Sequence, residues 1–209
     1  MDSSNHFNQV ANRWDSNPAR VAMAQKHCEL IKKSFRLSAD MEVLDFGCGT
    51  GLVSLCILPY VKKITGVDGS EGMVSVFQEK IKANNIPNCS AVYFHSEQSF
   101  LPPGEHSYDL IITTMTFHHI KDIRKVLGEF FSVLKPGGQV CIIDLEKEDG
   151  SFHEDPAAGA VHEGFEQQYL YDALYDTGFK KIDVSVGFVH ERKSTQKKYP
   201  ILIAKAAVS

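Results

Sequence analysis

The stretch Val43-Leu44-Asp45-Phe46-Gly47-Cys48-Gly49-Thr50-Gly51 restricts the fold more than any other part of the chain. Val43 and Leu44 follow the polar run Ser38-Ala39-Asp40 and supply the apolar end of a buried strand. Asp45 falls where that strand stops. Gly47, Gly49 and Gly51 then let the backbone turn sharply and approach a ligand with no Cβ in the way. A helical run from Leu52 to Leu58, ended near Pro59, follows. Strand, glycine loop and helix form the opening unit of a doubly wound α/β sheet, in which ligands sit at the carboxyl ends of the strands.

The glycine spacing separates two kinds of ligand. A dinucleotide fingerprint reads G-x-G-x-x-G or G-x-G-x-x-A. Counted from Gly47 and Gly49, its last position falls on Leu52. That disfavours a nicotinamide oxidoreductase. The third glycine is instead Gly51, with an acidic residue two positions before Gly47. This D-x-G-C-G-T-G pattern resembles motif I of the class I S-adenosylmethionine-dependent methyltransferases. The chemistry is consistent, because S-adenosylmethionine has no pyrophosphate. It has an ammonium that an acidic strand end can hold, and a carboxylate and sulfonium that need close backbone approach.

Further elements come in the order the resemblance implies. Lys63-Ile64-Thr65-Gly66-Val67-Asp68 reads as the second strand. Asp68 stands at its carboxyl end, about 20 residues past the glycines, where a carboxylate accepts both hydroxyls of a ribose diol. Ser70 is placed to cap the next helix, Met73 to about Ala83, and Met73 itself is either an adenine contact or core. Ala91 to Phe94 is the third strand; after it Ser96 stands where the family most often has aspartate, with Glu97 beside it. Tyr108 to Thr113 is a continuous apolar run of the kind buried on both faces of a parallel sheet, and Val126 to Leu134 is helical. The Leu134-Lys135-Pro136-Gly137-Gly138 turn, also similar to the family's, precedes a strand at 139–144. A helix at 167–176 and two strands, about 180–189 and 200–207, finish the chain. The resemblance therefore implies a Rossmann-like doubly wound sheet of seven strands in the order 3-2-1-4-5-7-6, strand 7 antiparallel. It forms one domain: an N-terminal helical cap over 1–36 and the core over 37–209.

Within the cap, Asn17-Pro18 marks a helix start. Phe7 to Asp15 resembles the F-x-x-x-A-x-x-W-D segment that lies over the cofactor in small-molecule members of the family. Its alternative is an amphipathic helix packed on the sheet through Phe7, Val10 and Trp14. The cofactor-binding set implied by the resemblance is Trp14, Asp45, Gly47, Cys48, Gly49, Gly51, Asp68, Gly69, Met73, Thr113, and Ser96 or Glu97.

Methyl transfer asks the protein to position an acceptor and exclude water. A base is needed only where the nucleophile carries a poorly acidic proton. His118 and His119, just past the fourth strand, are the candidates, since a histidine near its ordinary pKa accepts a proton at neutral pH; the alternatives are a helix cap and a core or cofactor contact. His162 and Phe165, in the H-E-G-F run, are candidate substrate residues. The segment 146–162 is acidic and aperiodic and reads as a long functional or disordered loop. Arg192, Lys193, Lys197 and Lys198 read as a solvated hairpin tip.

Composition bounds the rest. A chain of 209 residues suffices for one α/β domain. A net charge of −4 argues against broad nucleic-acid binding. Five scattered cysteines with no C-x-x-C pair signal neither a disulfide framework nor a metal knuckle. No secretory leader and no membrane-length apolar run are visible. A reduced, cytoplasmic setting is the expectation, with no metal. The N-P-P-Y or D-P-P-Y signature of amino-directed macromolecular methyltransferases is replaced by Thr113-Thr114-Met115-Thr116, so a small-molecule acceptor is expected. The alternatives are a methyltransferase acting on a macromolecule and a catalytically silent scaffold of the same fold.

Overall fold

The structure, a computed structural model, describes residues 3–94, 107–153, 159–192 and 195–209. Seven strands form one sheet: β1 (Glu42–Phe46), β2 (Lys63–Asp68), β3 (Cys89–Tyr93), β4 (Tyr108–Thr114), β5 (Leu134–Leu145), β6 (Lys180–Arg192) and β7 (Lys197–Ala207). Their order is β3-β2-β1-β4-β5-β7-β6. The first five pair in parallel, and β7 runs antiparallel to both β5 and β6. A four-residue link between β6 and β7 leaves no room for a crossover, so the two must pair as a hairpin. The chain winds outward from β1 to β3 and then returns to β4 beside β1. The sheet therefore has a switch point between β1 and β4, where a crevice opens at the strands' carboxyl ends.

Helices cover both faces. They are α1 (Ser3–Val10), α2 (Pro18–Ser34), α3 (Leu52–Ile57), α4 (Glu71–Ala83), α5 (Ile123–Val133) and α6 (Gln167–Thr177). Alternation along β4 shows why the strand is apolar throughout. Leu110 and Ile112 enter a core with Ile31 of α2, Val53 of α3 and Phe77 of α4. Ile111 enters the opposite core with Phe130 of α5 and Leu174 of α6. No helix among the described residues is long and apolar enough to cross a membrane.

Local signals set the helix ends as expected. Asn17 accepts a bond from the Ala19 N–H at 2.9 Å with Pro18 at the first helical position, and the Ser70 hydroxyl accepts from the Met73 N–H at 3.2 Å. Because Ser70 is the cap, α4 starts at Glu71, two residues before the sequence boundary. The Leu134–Gly138 turn is absorbed into β5 as an irregularity between its pairing with Tyr108 and with Leu110, and Gly137 takes a φ of +77° there.

Two expectations are corrected. Cys28 of α2 and Cys56 of α3 form a disulfide, while Cys48, Cys89 and Cys141 are free and buried. The pairing was invisible in the sequence because only the packing of α2 on α3 brings the two together. Arg192 and Lys197 are not merely a solvated tip. Arg192 donates to the backbone carbonyls of Ser151 (3.0 Å) and Phe152 and lies over the rings of Phe152 and Tyr199. Lys197 pairs with Asp149 at 3.0 Å. The hairpin thus clamps the segment after β5. Lys193 lies outside the described residues.

Candidate active site

Three glycines of the loop after β1 do three different jobs. Gly47, at φ +73°, passes so close to β4's continuation that a Cβ there would lie 2.2 Å from Thr116 Oγ1. Gly51, at φ +82°, packs under α4, and a Cβ would lie 2.3 Å from the Phe77 ring. Gly49, at φ +54°, faces open space, with nothing within 4 Å of the Cβ position. Its N–H donates to Asp68 Oδ2 at 2.8 Å, and the Ser70 N–H donates to Asp68 Oδ1 at 2.8 Å. Burial raises the Asp68 pKa while these two bonds pull it down. Each oxygen keeps capacity for a further donor, as a vicinal diol requires. The open face at Gly49 and the doubly held carboxylate fit a nucleoside.

Asp45 is placed deeper than a strand-tip reading implies. It is 1% exposed. The Ser54 hydroxyl of α3 donates to Oδ2 at 2.5 Å, and Oδ1 has no partner among the described residues. Burial pushes its pKa up to about 7, against the Ser54 bond and with some repulsion from Asp68. An orphaned carboxylate oxygen beside the glycine loop asks for a cationic partner. Cys48 is buried next to it, its thiol pKa raised by burial. Thr113 is 1% exposed and its hydroxyl has no partner among the described residues. Beyond it Met115 holds a φ of +54°, a conformation rare for a side chain of this size and often found at functional turns.

Met73 is 2% exposed in the first turn of α4. A Cβ at Gly69 would make only ordinary contact with Phe94 (3.8 Å), so sterics do not demand glycine there. Ser96 and Glu97 lie outside the described residues.

The N-terminal segment packs on α4 and the glycine loop as well as on the neighbouring helix. Asn8 Oδ1 accepts from the Ser70 hydroxyl (2.7 Å) and the Gly72 N–H (2.8 Å). Asp15 accepts from the Thr50 hydroxyl at 2.6 Å and pairs with Lys80, whose ammonium also donates to the Thr50 carbonyl at 2.7 Å. Trp14 is half-buried, with the Arg20 guanidinium 3.8 Å from its ring centroid and the edge of Phe7 against it. Phe7 in turn meets His119 edge-on at 5.2 Å.

His118 and His119 end a short 3-10 turn after β4. His118 is 1% exposed, and its Nδ1 lies 2.6 Å from Asp144 Oδ1 at the end of β5. Asp144 also accepts from the Leu145 N–H at 2.8 Å. Burial opposes ionisation of Asp144, but the neighbouring His118, by charge and hydrogen bond, outweighs it and lowers the pKa. His153 joins them, its ring centroid 5.0 Å from that of His118 and 5.3 Å from that of His119. Burial, with the neighbouring imidazoles, lowers His119 to about 3 and His153 to about 4.

The two substrate candidates both make packing contacts. Phe165 is 2% exposed within the core, because its backbone pairs with Leu145 and Lys147 at the end of β5 and turns the ring inward. His162 Nε2 lies 2.9 Å from the Ile120 carbonyl, and the N–H groups of Val161 and His162 both donate to the carbonyl of His118. These residues anchor the later segment to the β4 turn. Sequence reasoning named Asp15 only as the last residue of the Phe7–Asp15 segment, and it missed Asn8, Asp144 and His153. Of these three only Asp144, at a strand's carboxyl end like Asp68, carried a usable signal.

Fold and loop together define a doubly wound sheet with a nucleoside-type cleft: a G-x-G-x-G bend at β1 and a carboxylate at the end of β2. Residues 43–138 match the family model described as a methyltransferase domain. An uncharacterized methyltransferase of Schizosaccharomyces pombe is 35% identical over 163 residues, covering 72% of this chain and 57% of that protein. A demethylmenaquinone methyltransferase of Listeria welshimeri is 33% identical over 118 residues, covering 55% and 49% respectively. The chain thus spans about half the length of these curated relatives. A SAM-dependent methyltransferase from Aquifex aeolicus shares the fold with a TM-score of 0.70 at 24% identity, covering 99% of this chain and 98% of that one. Residues 43–138 are thus a methyltransferase domain, and the chain as a whole has the fold of the S-adenosylmethionine-dependent methyltransferases.

Proposed function

We propose that this protein transfers a methyl group to a small-molecule acceptor. The single observation that carries the reading is the cradle at Gly49, open above the backbone and closed behind by Asp68. In this reading Asp68 accepts the two ribose hydroxyls and Gly49 allows the nucleoside to lie against the loop. The orphaned Oδ1 of Asp45 takes the ammonium. The cofactor supplies an electrophilic methyl on a sulfonium, so the chain's own work is orientation and exclusion of water. The N-terminal cap helps to exclude water, since Asn8 ties it to the start of α4, Asp15 ties it to the glycine loop through Thr50, and Phe7 packs edge-on against His119. His118 and His119 bring unpartnered imidazole nitrogens to the acceptor side; burial, which lowers the His119 pKa to about 3, makes that residue a poor proton acceptor at neutral pH, against the base role its position suggests.

Two observations support a small acceptor over a macromolecule. The histidine end of the cleft lies under Phe7, which suits an enclosed molecule. Relatives include a demethylmenaquinone methyltransferase and a sterol 4-C-methyltransferase of Caenorhabditis elegans. The test is calorimetric titration with S-adenosylhomocysteine, followed by transfer from methyl-labelled S-adenosylmethionine into a deproteinised metabolite extract. Binding and a labelled low-mass product are expected. Binding without any labelled product in that extract, but with label on added protein or RNA, would assign a macromolecular acceptor.

A further inference from the structure

Two histidines of the turn after β4 and one of the segment after β5 bring three imidazoles together. Nε2 of His118, Nδ1 of His119 and Nε2 of His153 are each buried with no hydrogen-bond partner among the described residues. One nitrogen from each side chain lies within 4.8 Å of one from each of the others. Buried polar atoms are normally satisfied, so three orphans in one place call for a shared partner. The rings are also held from behind. The Asp144 carboxylate at 2.6 Å fixes His118 through Nδ1, the arrangement that orients metal-ligating imidazoles. His119 is hydrogen-bonded to the backbone of Gly159. His153 follows the two residues whose carbonyls Arg192 clamps.

We propose that His118, His119 and His153 form a site for one divalent transition metal of the zinc type. A set of three imidazoles suits Zn²⁺, Co²⁺ or Ni²⁺ and not Mg²⁺ or Ca²⁺, which take oxygen ligands. Metal–nitrogen bonds of about 2.0–2.1 Å in a tetrahedral site put ligand nitrogens about 3.3 Å apart, so small ring movements of about 1.5 Å or less close the group. Three protein ligands leave one open position, as in catalytic and not structural zinc sites. On the methyltransferase reading, which this last point rests on, that position would take an acceptor oxygen or sulfur, the cation lowering its pKa so that its proton passes to solvent and the freed lone pair faces the methyl. The acceptor class is then a hydroxyl or thiol compound.

The test begins with full-length protein stripped by a chelator and titrated with ZnCl₂ by calorimetry, bound metal being counted by elemental mass spectrometry. One equivalent per chain is expected, and Co²⁺ in its place should develop the visible absorption of a four-coordinate ion. His119→Ala and His153→Ala spare the fully buried His118–Asp144 pair, and each should weaken zinc binding by at least about tenfold. Asp144→Asn should weaken it by about 10- to 100-fold, and His190→Ala, outside the group, should leave it unaltered. S-adenosylhomocysteine binding by the same variants reports an intact fold; a variant that loses it is replaced by its His→Gln counterpart. A flat wild-type titration, or zinc affinity unaltered in both histidine variants, overturns the metal site. Zinc binding without S-adenosylhomocysteine binding overturns the methyltransferase reading and leaves the metal site standing.

Discussion

Asp45→Asn gives the most direct check on how the cleft is charged. Burial raises the Asp45 pKa from an ordinary 3.8 to about 7. A carboxyl whose folded-state pKa is raised holds its proton more tightly in the folded chain than in the unfolded one. Its contribution to stability is therefore fully present below pH 3.8 and is lost as pH rises through about 7. At about 1.4 kcal/mol per pH unit across that interval, the loss has a ceiling of about 4 kcal/mol. Relaxation and water entry reduce it, and half that figure is a reasonable expectation. Asparagine retains an oxygen for the Ser54 hydroxyl but carries no charge at any pH. Urea unfolding of both proteins between pH 4.5 and 8.5 reads this contribution, because titrating groups that do not feel Asp45 cancel in the difference. The variant should gain on the wild type by about 2 kcal/mol or more from the acid to the alkaline end. A bound ammonium reverses the balance, so wild-type affinity for S-adenosylhomocysteine should rise with pH through 7 and the variant's should not. A pH-independent difference between the two proteins would refute the assignment of a buried, unpartnered carboxyl at this position.

Other consequences are open to simpler measurements. Asp68→Asn removes charge from an acceptor of two backbone bonds and should weaken S-adenosylhomocysteine binding by about 1.5–3 kcal/mol, the worth of hydrogen bonds to a charged group; calorimetry reads it directly. Gly51→Ala meets both the Phe77 ring and a left-handed backbone, so denaturant unfolding should show a loss of at least about 1–2 kcal/mol. Gly49→Ala has open space at its Cβ and should cost less stability than Gly51→Ala but more ligand affinity. Thiol titration of the unfolded protein should count three groups without reductant and five with it. Reduction of the Cys28–Cys56 bridge, 28 residues apart in sequence, should lower stability by up to about 3–4 kcal/mol on the chain-entropy account.

What the sequence determined was whatever chain-local physics encodes. Glycine positions after Val43–Phe46, the both-faces apolar run of β4, and the caps at Asn17 and Ser70 all act within a few residues, so their spacing alone announces strand, loop and helix. Asp68 was legible for the same reason, since a strand's end is a local fact. Tertiary structure decided what depends on distance through space. It set Asp45 under the loop against Ser54, turned Phe165 into the core, and paired Cys28 with Cys56. It also carried His153, from a segment with no periodicity, to the side of His118 and His119. Nothing in the spacing of those histidines marks them as one group. Their meeting depends on β5 lying beside β4 and on a hairpin clamp formed by residues near the end of the chain, and only the packed sheet brings these together.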